Sequence, residues 1–330
     1  MLSRVSQSIV PVSVESLIAH AELAPFVTLR AGAAGVGRQV AHARVQKSGL
    51  VFAGHVRGMD SRRVQVVGTT EASYLEALDD GQRRINIAGF FSLSPALTLV
   101  TCGHEPHPDL LLEAQRTGSP LVVSSVRSSA SIQAVHGVLD KMLAPHETVH
   151  GVLVEVHGLG TLLLGPSGIG KSECALFLVE RGHRLVADDR VIVTRPPRGG
   201  IVGKPEPLLQ HHIEIRGLGI LNIRDLYGAT AVRAEIPVDL VVELCPWDDH
   251  DPYDRLGIDD AYHVLVGVRV PLLRIPIRPG REMGTLLEVA ARNELLKRAG
   301  THGARDFAVR LANALGVTMP PPPPSSEENE

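Results

Sequence analysis

A single eight-residue segment constrains this 330-residue chain more than any other feature of its sequence. The segment fits the pattern G-x-x-x-x-G-K-[ST] and consists of Gly165, Pro166, Ser167, Gly168, Ile169, Gly170, Lys171 and Ser172. An apolar run, 161–164, comes before it and an amphipathic stretch, 172–180, comes after it. The sequence therefore predicts a strand, a loop and a helix in the order that a phosphate loop requires.

The residue types of this phosphate loop explain its expected chemistry. Glycines allow the backbone to wrap around a phosphate group and to point several N–H groups at it. The N-terminus of the following helix adds the positive end of its dipole. Lys171 is expected to contact the outer phosphates of ATP, and the hydroxyl of Ser172 is expected to bind Mg²⁺.

The rest of the sequence divides into two predicted domains and a tail. We assign residues 1–128 to a small N-terminal α/β domain, regulatory or involved in assembly, and 129–318 to a catalytic domain that contains the phosphate loop. A helix predicted over 129–143 connects the two domains. Residues 319–330 hold consecutive prolines and an acidic end, so this tail cannot bury a core and is expected to be disordered.

Short apolar runs predict the sheet of the N-terminal domain. Runs at 97–101 and 121–123 flank a helical stretch at 109–116, which is the strand–helix–strand order of a parallel sheet. Residues 49–56 and 63–67 are two further candidate strands. The predicted fold class of the chain is therefore α/β.

Composition excludes several classes of partner. Lys and Arg number 33 and Asp and Glu number 36, so the net charge is −3 and there is no global basic excess for binding nucleic acid. No apolar run is long enough to span a membrane, so a membrane partner is not expected. Cys102, Cys174 and Cys245 form no CxxC pair and are predicted to be free thiols in a reducing, cytoplasmic compartment.

Two adjacent carboxylates follow another predicted strand, 184–187. Asp188 or Asp189 could bind Mg²⁺ or act as a base. If the strand continues, the two side chains point to opposite sides and have different tasks. An ordinary polar turn between two strands would explain them equally well, because Asp is a common turn residue.

Three further patterns contain candidate site residues. Alternation over 212–216 predicts a strand with His212, Glu214 and Arg216 on one polar face, suited to a metal and a phosphate or to a surface ion pair. His150 precedes another predicted strand, although a lone histidine is more often a bystander. The third pattern is a Pro/Gly-rich loop with two guanidinium groups, which suit phosphate but also fit a turn before a helix. This loop comprises Pro276, Ile277, Arg278, Pro279, Gly280 and Arg281.

Taken together, these residues resemble the HPr kinase/phosphorylase family. The resemblance is carried, in family order, by SSVRSSASIQAVHGVL, VHGVLVEV, GPSGIGKSECAL, RGHRLVADDRV, HHIEIRGLGILNI, PYDRLG, and RIPIRPGR followed by LLEVAARN. These segments cover most of residues 120–300, and IEIRGLGILN is far more specific than the phosphate loop alone. The N-terminal part matches more loosely, through GLVFAGH and RVQVVGTTEASYL, and the tail lies outside the resemblance.

The resemblance implies a bifunctional enzyme. It would use ATP or pyrophosphate to phosphorylate a serine on HPr, the phosphocarrier of the sugar phosphotransferase system. It would remove the same phosphate by attack of inorganic phosphate, which releases pyrophosphate. It further implies a mixed sheet similar to that of phosphoenolpyruvate carboxykinase, a homohexamer, and a last helix, 304–315, in the region of the subunit and HPr contacts.

The resemblance also implies roles for individual residues. Asp189 would take the serine proton in the kinase direction and return it in reverse, and Ser172 and Glu214 would bind Mg²⁺. The catalytic positions that it implies are His150, Lys171, Asp188, Asp189 and Arg255. The stretch that it assigns to both reactions is Ile213, Glu214, Ile215, Arg216, Gly217, Leu218, Gly219, Ile220, Leu221 and Asn222, and it assigns the 276–281 loop to phosphorolysis.

This sequence departs from the family pattern at two positions. Cys174 stands where Thr is expected, which should affect only packing, and Glu282 stands where Asn is expected. A carboxylate beside the 276–281 loop should weaken phosphorolysis. Two other functions compete with the family reading: a kinase of a small metabolite on the same fold, and a nucleotide-binding sensor without turnover. Asp189, Glu214 and Arg255 argue against the sensor, which needs no base and no second phosphate clamp.

Overall fold

The computed structural model describes residues 11–197, 199–248, 260–278 and 281–315. The chain divides into two compact units, of which the first ends at Pro145 and the second begins at His146. Both units combine helices with a sheet, so the predicted α/β class is confirmed. The predicted tail, 319–330, lies outside the described residues.

The first unit is built around a five-stranded sheet of order β2-β7-β6-β5-β4. Strands β4 to β7 run parallel, and β2 pairs antiparallel with β7. In chain order the elements are β1 (Val12–Ser13), α1 (Val14–Ile18), β2 (Val27–Ala31), β3 (Gln39–Val40), β4 (Gln46–Lys47), α2 (Gly49–Phe52), β5 (Val64–Val67), α3 (Thr69–Ala77), α4 (Asp80–Ser92), β6 (Leu97–Val100), α5 (Pro108–Thr117), β7 (Leu121–Ser124) and α6 (Ser128–Met142). Strands β5 and β6 are buried along their whole length, as strands with helices on both faces must be.

Residues 49–56 do not form the predicted strand, because 49–52 form the short helix α2. Val51 and Phe52 of this helix are buried, and the Phe52 ring lies 4.7 Å from that of Phe90 in α4, measured between centroids. A short apolar run fits a buried helical turn as well as a strand, so its sequence does not distinguish the two.

The connecting helix predicted over 129–143 forms as α6 but lies within the first unit. Val135, Val138 and Leu139 of α6 are buried in the same core as Leu17 of α1 and Val122 of β7. The division between the compact units comes after this helix, at Pro145. The apolar stripe of α6 predicted a helix correctly but did not show which sheet the stripe covers.

The second unit carries the phosphate loop on a six-stranded sheet of order β11-β9-β10-β17-β19-β18. In chain order its elements are β8 (His146–His150), β9 (Val152–Val156), β10 (Leu159–Leu164), α7 (Lys171–Glu180), β11 (Arg184–Ala187), β12 (Arg190–Thr194), β13 (Val202–Pro205), β14 (His212–Ile215), β15 (Gly219–Asn222), α8 (Ile223–Tyr227), β16 (Ile236–Pro237), β17 (Leu240–Pro246), β18 (Ala261–Leu265), β19 (Val268–Ile277), α9 (Met283–Arg298) and α10 (Gly303–Leu315).

Strand directions bring four chain segments to the same end of this sheet. Strands β10, β17 and β19 run parallel to one another. Strand β9 is antiparallel to both β10 and β11, so β11 also points in the direction of β10. The predicted mixed sheet is thereby confirmed. We call the end at which β10, β11, β17 and β19 finish the carboxyl end of the sheet.

Both faces of the six-stranded sheet are buried, because successive side chains of its strands pack into cores on opposite faces. Val152 and Val154 of β9 pack in one core with Leu178 of α7 and Leu287 of α9. Leu153, between the two valines, packs in a different core that includes residues of β12. Strand β12 belongs to a four-stranded sheet of order β16-β13-β12-β8. The second unit therefore has three layers: helices, the mixed sheet and the smaller sheet.

Candidate active site

The phosphate loop leaves the carboxyl end of the sheet directly after β10 and leads into α7. Gly165 has φ 143° and Gly170, the residue before α7, has φ 102°. A Cβ atom at Gly165 would lie 2.4 Å from the carbonyl oxygen of Leu244 in the neighbouring strand β17. The loop can approach this strand only because residue 165 has no side chain.

Two cationic side chains lie against the phosphate loop. The Lys171 ammonium donates hydrogen bonds to the carbonyl oxygens of Gly165, at 2.9 Å, and Pro166, at 3.1 Å. The guanidinium of Arg216 comes from the turn between β14 and β15, and its Nη2 atom would lie 3.1 Å from a Cβ at Gly168. The loop thus brings together residues that are far apart in sequence and that suit phosphate oxygens.

Asp188 connects the phosphate loop to two other segments of the second unit. Its Oδ1 atom accepts a hydrogen bond from the Ser172 hydroxyl at 2.8 Å, and its Oδ2 atom accepts one from the Glu214 backbone N–H at 2.9 Å. The residue is only 3% exposed. Burial raises the pKa of Asp188, although the hydrogen bonds from Glu214 and Ser172 oppose this.

Asp189 lies in the turn between β11 and β12 and has the opposite environment. Its φ of 62° is uncommon for a residue with a Cβ atom. The side chain is 61% exposed, and its Oδ1 atom lies 3.5 Å from Nδ1 of His150. The N–H of Gly151 donates to the Asp189 carbonyl oxygen at 3.1 Å, which holds the turn beside the end of β8.

The 213–222 stretch forms a hairpin of β14 and β15 beside the phosphate loop. Ile213 and Ile215 are buried in the core with α7, so Glu214 between them is exposed on the other face, as the alternation predicted. Asn222 has a structural task, because its Oδ1 atom accepts hydrogen bonds from the first N–H groups of α8. Leu218 is exposed in the hairpin turn.

The 276–281 loop begins as the last two residues of β19, at the carboxyl end of the sheet. The Arg278 guanidinium lies over the ring of Trp247, 3.9 Å from its centroid, and Trp247 directly follows β17. Arg281 Nη1 donates to the carbonyl oxygen of Pro276 at 3.2 Å. Trp247 was not among the predicted site residues, although it is the one tryptophan of the sequence. Arg255, Pro279 and Gly280 lie outside the described residues.

The oxygen atoms around Asp188 fit the donor set of a divalent cation. Ser172 contributes a hydroxyl that already points at Asp188 Oδ1. Glu214 contributes a carboxylate on a residue whose backbone is bound to Asp188 Oδ2. Mg²⁺ prefers hard oxygen ligands of this kind, usually one or two carboxylates with substrate phosphates.

Comparisons with known proteins identify the family of this chain. Residues 12–139 match the family model described as "HPr Serine kinase N terminus", and residues 141–311 match "HPr Serine kinase C-terminal domain". The chain belongs to the HPr kinase/phosphorylase family. A relative from Geobacter sulfurreducens named HPr kinase/phosphorylase is 44% identical over 308 residues, which is 93% of this chain and 97% of that protein.

Two further similar proteins are also named as HPr kinases. The HPr kinase/phosphorylase 1 of Oceanobacillus iheyensis is 37% identical over 88% of this chain and 93% of its own length. The solved structure of the HPr(Ser) kinase/phosphatase from Coxiella burnetii is 31% identical and covers 49% of this chain and 98% of that chain, with a TM-score of 0.45.

The two departures from the family pattern differ in their surroundings. Cys174 is buried on α7, and burial raises the pKa of its thiol to about 11, so it is a packing residue. All three cysteines are free thiols, as predicted. Glu282 is the residue before α9, where its side chain makes no capping hydrogen bond.

Among the described residues, no helix combines the length and the apolar character needed to cross a bilayer.

Proposed function

We propose that this chain phosphorylates a serine of the phosphocarrier HPr with ATP or pyrophosphate, and removes that phosphate by attack of inorganic phosphate. The observation that carries the proposal is the pairing of two groups at the carboxyl end of the sheet. These are the phosphate loop, which can hold a phosphoryl donor, and the exposed carboxylate Asp189, which a protein substrate can reach. The names of the family members support the choice of HPr as substrate.

In the kinase direction Asp189 acts as the base. Its carboxylate takes the proton of the serine hydroxyl while the serine oxygen attacks the outermost phosphorus of ATP, and the bond from that phosphorus to the bridging oxygen breaks. Lys171, which lies against the loop carbonyls, is long enough to turn toward the phosphate oxygens and offset their charge. The backbone N–H groups at the start of α7 also offset the negative charge of the phosphate oxygens.

In the phosphorolysis direction the same proton moves back. An oxygen of inorganic phosphate attacks the phosphorus of phosphoserine and forms pyrophosphate, while the bond from that phosphorus to the serine oxygen breaks. The protonated Asp189 gives its proton to the leaving serine oxygen. Arg278 and Arg281 of the 276–281 loop are placed at the carboxyl end of the sheet, where guanidinium groups can bind the second phosphate. His150, 3.5 Å from Asp189, orients this carboxylate, and Arg255 is expected to act at the same site.

Asp188 organises the site without contacting the substrate. It holds the Ser172 hydroxyl and the Glu214 backbone in place, so that Ser172 and Glu214 are oriented to bind Mg²⁺. When bound, Mg²⁺ would neutralise phosphate oxygens. The 3% exposure of Asp188 excludes it as the group that meets a protein serine, which leaves that role to Asp189.

At the level of the whole protein we propose a cytoplasmic homohexamer. Its partners are HPr, inorganic phosphate and pyrophosphate, and its first unit serves regulation or assembly. The stripe of Phe307, Leu311 and Leu315 on α10 supports a subunit or HPr contact, because these apolar side chains are exposed.

The test is transfer of labelled phosphate to purified HPr with Mg²⁺ and ATP, followed by addition of inorganic phosphate. We expect phosphoserine on HPr, then its loss together with one pyrophosphate per serine released. A parallel assay replaces HPr by a panel of small metabolites. Phosphorylation of a metabolite with HPr untouched would move the assignment to a small-molecule kinase, and ATP binding without any transfer would move it to a sensor.

A further inference from the structure

Two helices run away from the candidate active site side by side. Helix α7 begins at Lys171 of the phosphate loop, and α9 begins at Met283, directly after the 276–281 loop and Glu282. The two helices contact each other and also share a core in which Leu178 of α7 and Leu287 of α9 are buried. The position of α9 relative to α7 therefore sets where Arg281 and Glu282, which lead into α9, lie relative to the phosphate loop.

The first contact between the helices is made at the start of α9. Gly284 lies so close to the Phe177 ring of α7 that a Cβ at residue 284 would be 2.0 Å from Phe177 Cδ1. This contact sets the separation of the helices but contains no directional bond, so a second contact is needed to fix how α9 is rotated.

Glu288, about one turn further along α9, makes that second contact. It is only 7% exposed. Its Oε2 atom accepts a hydrogen bond from Arg181 Nη2 at 2.8 Å, and its Oε1 atom lies 3.0 Å from His183 Nε2. Hydrogen bonding by Arg181, followed by that of His183, lowers the pKa of Glu288 to about 2, so the carboxylate is ionised at neutral pH.

The two partners of Glu288 are connected to both parts of the candidate active site. Arg181 directly follows α7, whose other end carries Lys171 and Ser172. His183 directly precedes β11, whose other end leads to Asp188 and Asp189. A single buried carboxylate on α9 thus binds the far ends of the helix and the strand that present the phosphate loop and the acidic pair.

A neighbouring contact connects α9 to the turn that leads into β10, the strand before the phosphate loop. Arg292, one turn beyond Glu288, donates its Nε–H to His157 Nε2 at 3.0 Å. His157 lies in the turn that leads into β10, and its ring meets that of His183 edge-on, with centroids 4.7 Å apart. We call Arg181, His183, Glu288, His157 and Arg292 the anchor cluster.

The anchor cluster is a poor metal site in spite of its donor atoms. One ligand atom from each of His157, His183 and Glu288 lies within 4.8 Å of the others, which is a suitable spacing for a metal ion. However, the guanidinium of Arg181 binds Glu288 and that of Arg292 binds His157. Their two positive charges would repel a divalent cation, whereas they suit an ionised carboxylate.

We propose that Glu288 is a positioning residue for phosphorolysis, because it holds α9, and with it Arg281 just before α9, in a fixed place relative to the phosphate loop. The inference rests on the proposed function, which assigns the 276–281 loop to the use of inorganic phosphate. The phosphate loop is itself held by β10 and by its close approach to Leu244. The binding of ATP should therefore depend less on the anchor cluster than the use of inorganic phosphate does.

The test is Glu288→Gln, which keeps the shape of the side chain and removes its charge. We expect the KM for inorganic phosphate in the dephosphorylation of phosphoserine-HPr to rise by about tenfold, because small displacements of a positioning group are costly. The KM for ATP in the kinase reaction should change by less than about twofold. Arg181→Gln should give the same split, and the double variant should add little to either single one, because the two residues act as one pair.

Glu294→Gln is the matched control. Glu294 is also a buried carboxylate on α9, but it pairs with Arg298 on the same helix and not with α7. The Glu294→Gln variant should leave the ratio of the KM for inorganic phosphate to the KM for ATP unchanged. If Glu288→Gln does not fold, as circular dichroism would show, Arg181→Gln carries the test, because its side chain is 42% exposed and its loss is better tolerated.

The outcomes separate the inference from the function on which it rests. A folded Glu288→Gln or Arg181→Gln enzyme with an unchanged KM for phosphate, or with both KM values raised equally, overturns the positioning role. A wild-type enzyme that neither phosphorylates HPr nor dephosphorylates phosphoserine-HPr overturns the proposed function instead. Higher thermal stability with added Zn²⁺, lost in Glu288→Gln, would show that the cluster binds a metal and would also overturn the inference.

Discussion

Asp188 and Asp189 show how backbone geometry separates two identical side chains. Strand β11 ends at Ala187, and the following Asp188 still points into the protein, where Ser172 and Glu214 bind it. The positive φ of Asp189 turns the chain, so the next carboxylate faces solvent beside His150. The first carboxylate can therefore organise the site while the second meets the substrate.

Trp247 is expected to matter through Arg278. A guanidinium over an aromatic ring at a partly exposed site gains about 0.5–1 kcal/mol, so Trp247→Leu should raise the KM for inorganic phosphate by roughly two- to fivefold. Tyr262→Leu is the matched control, because it removes a similar stack, that of Arg269 over the Tyr262 ring at 4.1 Å. This stack joins β18 to the start of β19, whereas the 276–281 loop begins at the other end of β19. Equal effects of both variants in a radiometric phosphorolysis assay would contradict a specific role of Trp247.

Glu282 is expected to restrain phosphorolysis. Glu282 directly follows the 276–281 loop, so we expect its carboxylate to repel phosphate there. Its side chain also makes no capping hydrogen bond at the start of α9. Glu282→Asn should therefore lower the KM for inorganic phosphate by about threefold and raise the thermal midpoint slightly, since Asn is a favourable capping residue. Robust phosphorolysis by the wild type, unchanged in the variant, would show that Glu282 does not weaken the reaction.

At the scale of elements, the close packing of α9 on α7 predicts an unusual effect of alanine. In Gly284→Ala the new methyl group collides with Phe177, at a cost of about 1–3 kcal/mol. The roughly 1 kcal/mol that alanine gains over glycine in a helix offsets part of this cost, so the expected net destabilisation is up to about 2 kcal/mol. Denaturant unfolding would measure the change.

Gly137 provides the comparison for Gly284. It lies in the middle of α6, and a Cβ there would have no neighbour within 4 Å. Gly137→Ala should therefore stabilise the first unit by up to about 1 kcal/mol. If both variants were stabilised alike, the close approach of α9 to Phe177 would be refuted.

Elements were predictable from the sequence where their signal is local. The phosphate loop, the strand before it and α7 follow from glycine spacing and a short apolar run, and the structure has them at nearly the predicted residues. Strand β19 was missed because Pro271 and Pro276 interrupt its apolar pattern. The helix α2 was mistaken for a strand because a short buried run has no period of its own.

At the scale of the whole molecule, the sequence predicted the candidates but not their arrangement. The spacing of these residues along the chain does not show that the Asp188 carboxylate binds both Ser172 and the backbone of Glu214. These contacts depend on the order of strands in the sheet. The anchor cluster was invisible for the same reason, although Arg181, His183 and Glu288 lie in segments that carried the family resemblance. Family membership, in contrast, follows from similarity over most of the chain.

The most direct test of the account is phosphate transfer to HPr by wild type and by Asp189→Asn, measured in both directions. We expect the variant to lose about 10²–10⁴-fold in the rates of both the kinase and the phosphorolysis reactions, the usual contribution of a positioned acid/base, while it still binds ATP. Asp80→Asn, a change at an exposed carboxylate of the first unit, should leave both rates unchanged. Transfer by Asp189→Asn at close to the wild-type rate would contradict the account, since no proton acceptor would then be needed at this position.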